Sequence, residues 1–313
     1  MAVSGKPVIL VTAADLAPLA LALLADFDVV FAGKTPDEDA IAALCEKYQP
    51  VAIIVRYGRI TPRILDASKR LRVVAKHGSG TDTIDKPAAA ARGIVVNAAA
   101  GANADAVAEH AWALILACAK NVVGLDARMR AGFWDKATHK SLELHGKTLG
   151  VVGLGAIGWR VAAIGVAMGM PVLAFDPFVK EAPAGVTLAP LADVLAGSLV
   201  LSLNCPLTDD NRHLVNRESI ATMPDGAILV NTGRGGLVDD DAVREALASG
   251  KLRAAGLDAF TPEPLAGEHA WRHVANTVLS PHVGGVSEDA YVNMGLGAAR
   301  NVLAVLASAP AAA

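Results

Sequence analysis

The sequence predicts an α/β chain made of two doubly wound, Rossmann-like domains with parallel sheets and an interdomain cleft. Three observations carry this expectation. Short β-branched runs alternate with Ala- and Leu-rich stretches of helical length along most of the 313 residues. That length suits two domains at ~100–200 residues each. A long glycine-poor stretch, 103–130, then interrupts the alternation. Composition agrees: 53% of residues are hydrophobic and only 19% charged, as buried parallel strands and the helices covering them require.

Taken in order, the first predicted strands are Val8–Val11, Asp28–Phe31, Val51–Val55, Arg72–Ala75 and Ile94–Val96. Between them 36–48 reads as a helix, with Pro36 in the opening turn and Asp37, Glu38 and Asp39 near the positive end of its dipole. The stretch 103–130 keeps one helical phase and is too long for a crossover within the first sheet, so it is predicted as the helix joining the domains. A second series follows at Leu149–Val152, Val172–Phe175, Leu199–Leu203, Ala227–Val230, Ala254–Leu257 and Thr277–Leu279.

Composition also excludes several classes of function. A formal net charge of -3 gives no general attraction for nucleic acid or anionic lipid. Mean hydropathy is +0.41, yet no apolar run reaches the ~20 residues of a spanning helix. The run Val161–Phe175 is broken by Gly165, Gly169 and Pro171, and Asp15 splits the N-terminal apolar stretch, so neither membrane span nor export signal is expected. Cys45, Cys118 and Cys205 are odd in number and unclustered, which predicts a reducing cytoplasm and no metal site.

The strongest local motif is Gly153-Leu154-Gly155-Ala156-Ile157-Gly158, placed between a predicted strand and a predicted helix. Gly153 permits the tight turn, Gly155 lets backbone approach a pyrophosphate, and Gly158 allows close helix–strand packing. Asp176 follows at the end of the next strand, where a carboxylate accepts from ribose hydroxyls and repels a 2′-phosphate. NAD is therefore the expected cofactor. Downstream, Asn231–Asp239, Gly256–Pro264 and Ser280–Gly285 each place one ionisable side chain in a loop after a predicted strand. Arg234, Glu263 and His282 form the set that reduction of a 2-keto acid needs: a guanidinium fork for the carboxylate, an imidazolium as proton donor, and a carboxylate that orients the imidazolium.

From about Val51 to Val305 these motifs, in this order, resemble the D-isomer-specific 2-hydroxyacid dehydrogenases, particularly short members like 3-phosphoglycerate dehydrogenase and hydroxypyruvate reductase. The resemblance implies a substrate domain of residues 1–98 and 285–313, an NAD-binding domain of 99–284, and a homodimer. It assigns catalysis to Arg234, Glu263 and His282, and the nicotinamide end of the cofactor to Asp258. It places Asn204, Cys205, Pro206 and Thr208 under the adenosine, adds Thr232, Gly233 and Gly284 to the cofactor site, and puts 103–110 at the start of the interdomain helix near the nicotinamide. The loop Lys76-His77-Gly78-Ser79-Gly80, with Arg56, falls on the substrate-binding residues. Lys76 and Lys136 stand where phosphoglycerate dehydrogenases carry arginine, and lysine lacks the bidentate fork. For Lys76, His77 and Lys136 a structural charge is an equal reading. Trp134, Trp159 and Trp271 are expected as core or interface anchors. An NADH-sensing, corepressor-like binding protein of the same fold is the alternative function.

Overall fold

The computed structural model describes residues 5–308. Contacts divide the chain into two compact units, one comprising Met1–Asn103 and Val286–Ala313, the other Ala104–Gly285.

In the first unit β1 (Val8–Val11), β2 (Asp28–Phe31), β3 (Ala52–Val55), β4 (Val73–Lys76) and β5 (Val95–Ala98) form a five-stranded parallel sheet in the order β2-β1-β3-β4-β5. Strand residues alternate between two cores, as the pleat demands. Ile9, Val11, Ala52, Ile54, Val73 and Ala75 face α1 (Pro18–Leu23) and α11 (Glu288–Ala307), whose Ala298, Ala299 and Val302 are fully buried there. Leu10, Ile53, Val55 and Val74 face the core shared with α2 (Glu38–Tyr48), α3 (Pro62–Ala67) and α4 (Lys86–Ala91). The predicted helix 36–48 begins at Glu38, because Asp37 caps it by accepting from the Ala40 N–H at 2.8 Å. Gln49, at φ 45°, ends it. The last strand of this sheet starts after its predicted Ile94, whose N–H bonds the Ala89 carbonyl at the end of α4 instead of joining the ladder.

The second unit carries α5 (Ala104–Lys120), α6 (Val122–Arg130), β6 (Leu149–Val152), α7 (Ala156–Ala167), β7 (Val172–Phe175), β8 (Val186–Leu188), α8 (Leu191–Gly197), β9 (Val200–Leu203), α9 (Arg217–Thr222), β10 (Ala227–Asn231), α10 (Asp240–Ser249), β11 (Leu252–Leu257) and β12 (Thr277–Leu279). Its seven parallel strands run β12-β11-β10-β9-β6-β7-β8, so strand order reverses between β6 and β9. Leu149, Val151, Ile228 and Val230 pack under α5 and α7, while Val152, Leu201, Leu203 and Leu229 pack under α8 to α10.

One expectation is corrected, and one strand joins those expected. The stretch 103–130 is not one helix: Asn121, at φ 53°, breaks it, and the two helices meet at a 61° bend. Asparagine tolerates the left-handed region, and α6 buries no side chain that would hold it on the α5 axis. The short edge strand β8, three residues with its centre exposed, has too little alternation to be read from sequence. Among the tryptophans, Trp271 is a core residue at 1% exposure, whereas Trp134 is 74% exposed. No single helix among the described residues is long and apolar enough to cross a membrane.

Candidate active site

Open parallel sheets bind ligands beyond the carboxyl ends of their strands, at the point where strand order reverses. Gly153, at φ 89°, makes the turn between β6 and α7 there. A Cβ on Gly153 would lie 2.7 Å from the Cys205 amide nitrogen, so the loops after β6 and β9 pass with no room for a side chain. On Gly158 a Cβ would strike the Gly153 carbonyl, which explains the third glycine. Gly155 differs: its Cβ would meet nothing within 4 Å, so the space before α7 is open. Helix α7, which Ala156 and Ile157 begin, has neither a side-chain cap nor an acid in its first turn, leaving amides to be satisfied by an anion.

Asp176 directly follows β7. Its Oδ2 accepts from the Leu154 N–H at 2.8 Å and its Oδ1 from the Phe178 N–H at 2.9 Å, so the carboxylate also braces the glycine turn. In neighbouring loops, Asn204 Oδ1 and Thr232 Oγ1 are buried without a partner, and buried polar atoms in that condition call for a ligand or water. Asn211 fixes the intervening loop through the Thr208 N–H and the Pro206 carbonyl. A glycine turn, uncapped helix amides, a strand-end carboxylate and two orphaned acceptors together fit a dinucleotide.

Three loops over the same sheet edge, after β10, β11 and β12, hold Arg234, Glu263 and His282. Gly235 packs against Phe260 so closely that a Cβ would lie 2.6 Å from the Phe260 Cα, drawing the Arg234 loop onto the Glu263 loop. Buried Asn231 shapes the Arg234 turn by accepting from the Gly233 N–H at 3.0 Å and donating to the Arg234 carbonyl at 2.9 Å. Glu263 Oε1 accepts from the Phe260 N–H at 2.9 Å, and its Oε2 lies 2.7 Å from His282 Nδ1.

The hydrogen bond His282 donates to Glu263 raises the His282 pKa above its ordinary value against the opposing pull of burial, and the Arg234 charge acts to lower it. Burial pushes Glu263 up, but the bonds from His282 and Phe260 outweigh it and leave the carboxyl below its usual range. His282 is thus biased toward the imidazolium and Glu263 toward the carboxylate.

His282 itself sits at φ 54°, a left-handed conformation uncommon for a side-chain-bearing residue. Asp258, 1% exposed, pins that loop: Oδ1 accepts from the Val283 N–H and the Ser280 hydroxyl, and Oδ2 from the Gly284 N–H at 2.8 Å. A Cβ on Gly284 would lie 2.9 Å from Asp258 Oδ2. His110 on α5 closes the network, with Nε2 2.8 Å from Ser280 Oγ. Asn231, Ser280 and His110 act through tertiary contacts, and no sequence spacing singles out their support of the three ionisable groups.

In the first unit, Arg56, Lys76, His77, Gly78, Ser79 and Gly80 gather at the ends of β3 and β4. Val55 is in register with Lys76, and the His77 N–H bonds the Val55 carbonyl at 2.9 Å. Gly78 takes φ 132°, and Ser79 Oγ bonds Asn103 Oδ1 at 2.9 Å. Lys136 lies in the second unit, in a short helical turn, Asp135–Ala137.

Residues 112–284 match the family of the D-isomer specific 2-hydroxyacid dehydrogenase, NAD binding domain. The chain belongs to that family. A hydroxypyruvate reductase of Thermotoga maritima is 40% identical to it over 79% of this dehydrogenase and 81% of its own length. A D-3-phosphoglycerate dehydrogenase of Mycobacterium bovis is 38% identical over 96% of this chain, which spans 57% of that longer relative. The solved D-lactate dehydrogenase of Aquifex aeolicus, complexed with NAD and lactic acid, superposes with a TM-score of 0.83 at 28% identity, covering 96% of this dehydrogenase and 95% of the other. NAD is the family's cofactor, and the relatives' names favour hydride transfer over an NADH-sensing role.

Proposed function

We propose that this dehydrogenase interconverts a small D-2-hydroxy acid and its 2-keto acid, with glycerate/hydroxypyruvate and 3-phosphoglycerate/3-phosphohydroxypyruvate as the leading pairs. The observation that carries the reading is the 2.7 Å Glu263–His282 contact, with the Arg234 charge acting on both partners. The cofactor, held by the 153–158 turn, would supply the hydride as NADH in reduction and accept it as NAD+ in oxidation. His282, with Nδ1 committed to Glu263, presents Nε2 to the substrate oxygen, gives it a proton in reduction and removes one in oxidation. Arg234 holds the carboxylate and polarises the adjacent carbonyl. In the other unit, read as the substrate domain, backbone amides of Gly78, Ser79 and Gly80 take the carboxylate, with Arg56, Lys76 and His77 toward the remainder of the molecule.

The cofactor's pyrophosphate is assigned to the 153–158 turn, its ribose to Asp176, its adenosine to the Asn204–Thr208 loop, and its nicotinamide end to Thr232, Gly233, Asp258 and Gly284. We also read the protein as a cytoplasmic homodimer. Free cysteines suit a reducing compartment. The exposed apolar side chains Val122, Val123, Met129, Phe133 and Trp134 offer a surface for a second copy. NADH oxidation with hydroxypyruvate, glyoxylate, pyruvate, oxaloacetate and 3-phosphohydroxypyruvate tests the reaction. Turnover of at least one, reduced by about 10² or more in His282→Ala with NADH binding retained, is expected. Turnover of none, or a fully active His282→Ala, rejects it.

A further inference from the structure

An arginine recognises phosphate through its forked N–H edge, and in this chain a carboxylate takes one arm of that fork, Nη1, of Arg56. Arg56 Nη1 donates to the Asp15 carbonyl at 3.0 Å and forms an ion pair with the Asp15 carboxylate. The Tyr291 hydroxyl donates to the same carboxylate oxygen at 3.0 Å. Ring centroids of Tyr291 and Tyr57 lie 4.9 and 5.5 Å from the guanidinium carbon, fixing its plane. The Arg56 side chain is 16% exposed and that of Asp15 68%, so the more accessible charge of the pair is negative. Tyr291 and Arg56 hold the Asp15 carboxyl below its usual range, so this negative charge persists at neutral pH.

Of the other two candidates for gathering an anion, Lys76 is tied to the Arg56 strand end and His77 is buried. Lys76 Nζ donates to the Arg56 carbonyl at 3.1 Å. His77 is 7% exposed, its ring 5.8 Å from that of Tyr291, and its Nε2 has no partner. Burial, reinforced by Arg56, pushes its pKa down to about 4, so it contributes a neutral ring at physiological pH.

We infer that Asp15, locked onto Arg56 by Tyr291, sets the substrate-domain end of the site against phosphate, so that the acid turned over carries an uncharged distal group such as hydroxymethyl. This rests on the reaction proposed above and selects between its two leading pairs. An incoming phosphate has to displace Asp15 from Arg56 or sit beside an exposed carboxylate, whereas a hydroxyl meets donors and acceptors without charge repulsion.

Steady-state reduction of hydroxypyruvate and 3-phosphohydroxypyruvate by the full chain, Asp15→Asn and Tyr291→Phe tests the assignment. The unaltered enzyme is expected to favour hydroxypyruvate in kcat/KM by about ten-fold or more, and Asp15→Asn to narrow that ratio by about ten-fold through KM for the phosphorylated substrate. Tyr291→Phe, which removes only the phenol's bond to the carboxylate, narrows it less. A preference for the phosphorylated acid in the unaltered enzyme, or a ratio within about two-fold of the original in Asp15→Asn, overturns the specificity assignment and leaves the reaction standing. Failure to turn over any keto acid of the panel removes the reaction and the assignment with it.

Discussion

Gly235→Ala isolates the contact that brings Arg234 to Glu263 and His282. The new Cβ would overlap the Phe260 carbonyl group and lie 2.6 Å from the Phe260 Cα, where ordinary contact begins at 3.4 Å, so one loop must retreat by more than about 1 Å. Every atom it meets is Phe260 backbone, which cannot swing aside as a side chain would, and overpacking of this kind costs about 1–3 kcal/mol. For a unit the size of Ala104–Gly285 that corresponds to a Tm lower by roughly 2–12 °C. The displacement falls between the Arg234 and Glu263 loops, and misplacement of about 1 Å near the reacting groups costs on the order of 10² in rate.

Thermal unfolding followed by circular dichroism and kcat/KM for the best keto acid read the two effects separately. Gly155→Ala is the control, because its Cβ meets no protein atom within 4 Å. It should keep the parent Tm and weaken NADH binding by about ten-fold or more, since the space it fills is the one assigned to the pyrophosphate. A Gly235→Ala protein with unchanged Tm and kcat/KM would refute the packing argument. Gly155→Ala with undiminished NADH affinity would refute the cofactor placement.

Three further outcomes follow from the electrostatics and the surface. Glu263 raises the His282 pKa, and keto-acid reduction needs His282 protonated, so kcat/KM falls as pH rises through that pKa. Glu263→Gln should move the fall to lower pH; a profile that stays in place or moves up contradicts the pairing. His77 titrates at about 4 when folded against 6.5 unfolded. The unfolded chain therefore takes the proton first, and about 3 kcal/mol of stability, fully present above the unfolded value, is lost as pH falls through this window. His77→Ala should be less stable at neutral pH yet lose less between these values, and parallel losses in both proteins would count against a neutral buried ring. Trp134→Ala combined with Phe133→Ser should shift the molar mass by light scattering toward the monomer, and an unchanged mass would place any dimer contact elsewhere.

The β6–α7 turn is legible in the sequence because its chemistry is local: three glycines and, some twenty residues on, a carboxylate at the next strand end. The same holds for Arg234, Glu263 and His282, each announced by glycines or prolines in a loop directly after a strand. The stretch 103–130 misleads because hydrophobic periodicity reports a face and not an axis, and a single left-handed Asn121 turns the axis without disturbing the pattern. Edge strand β8 escapes notice because three half-covered residues carry almost no period.

The sequence by itself determined the fold class, the dinucleotide turn and the identities of the ionisable residues, since each depends on spacing within a few tens of residues. Only the tertiary structure decided what each of those residues faces. Asp258 pins the His282 loop across 25 positions through the Val283 N–H, and Tyr291 reaches Asp15 across 276. Contacts of that span depend on how sheets and helices stack, and no local pattern encodes them. The charge state of His77 belongs to the same category: a histidine beside a glycine loop reads as a cation until burial and the neighbouring Arg56 make it neutral.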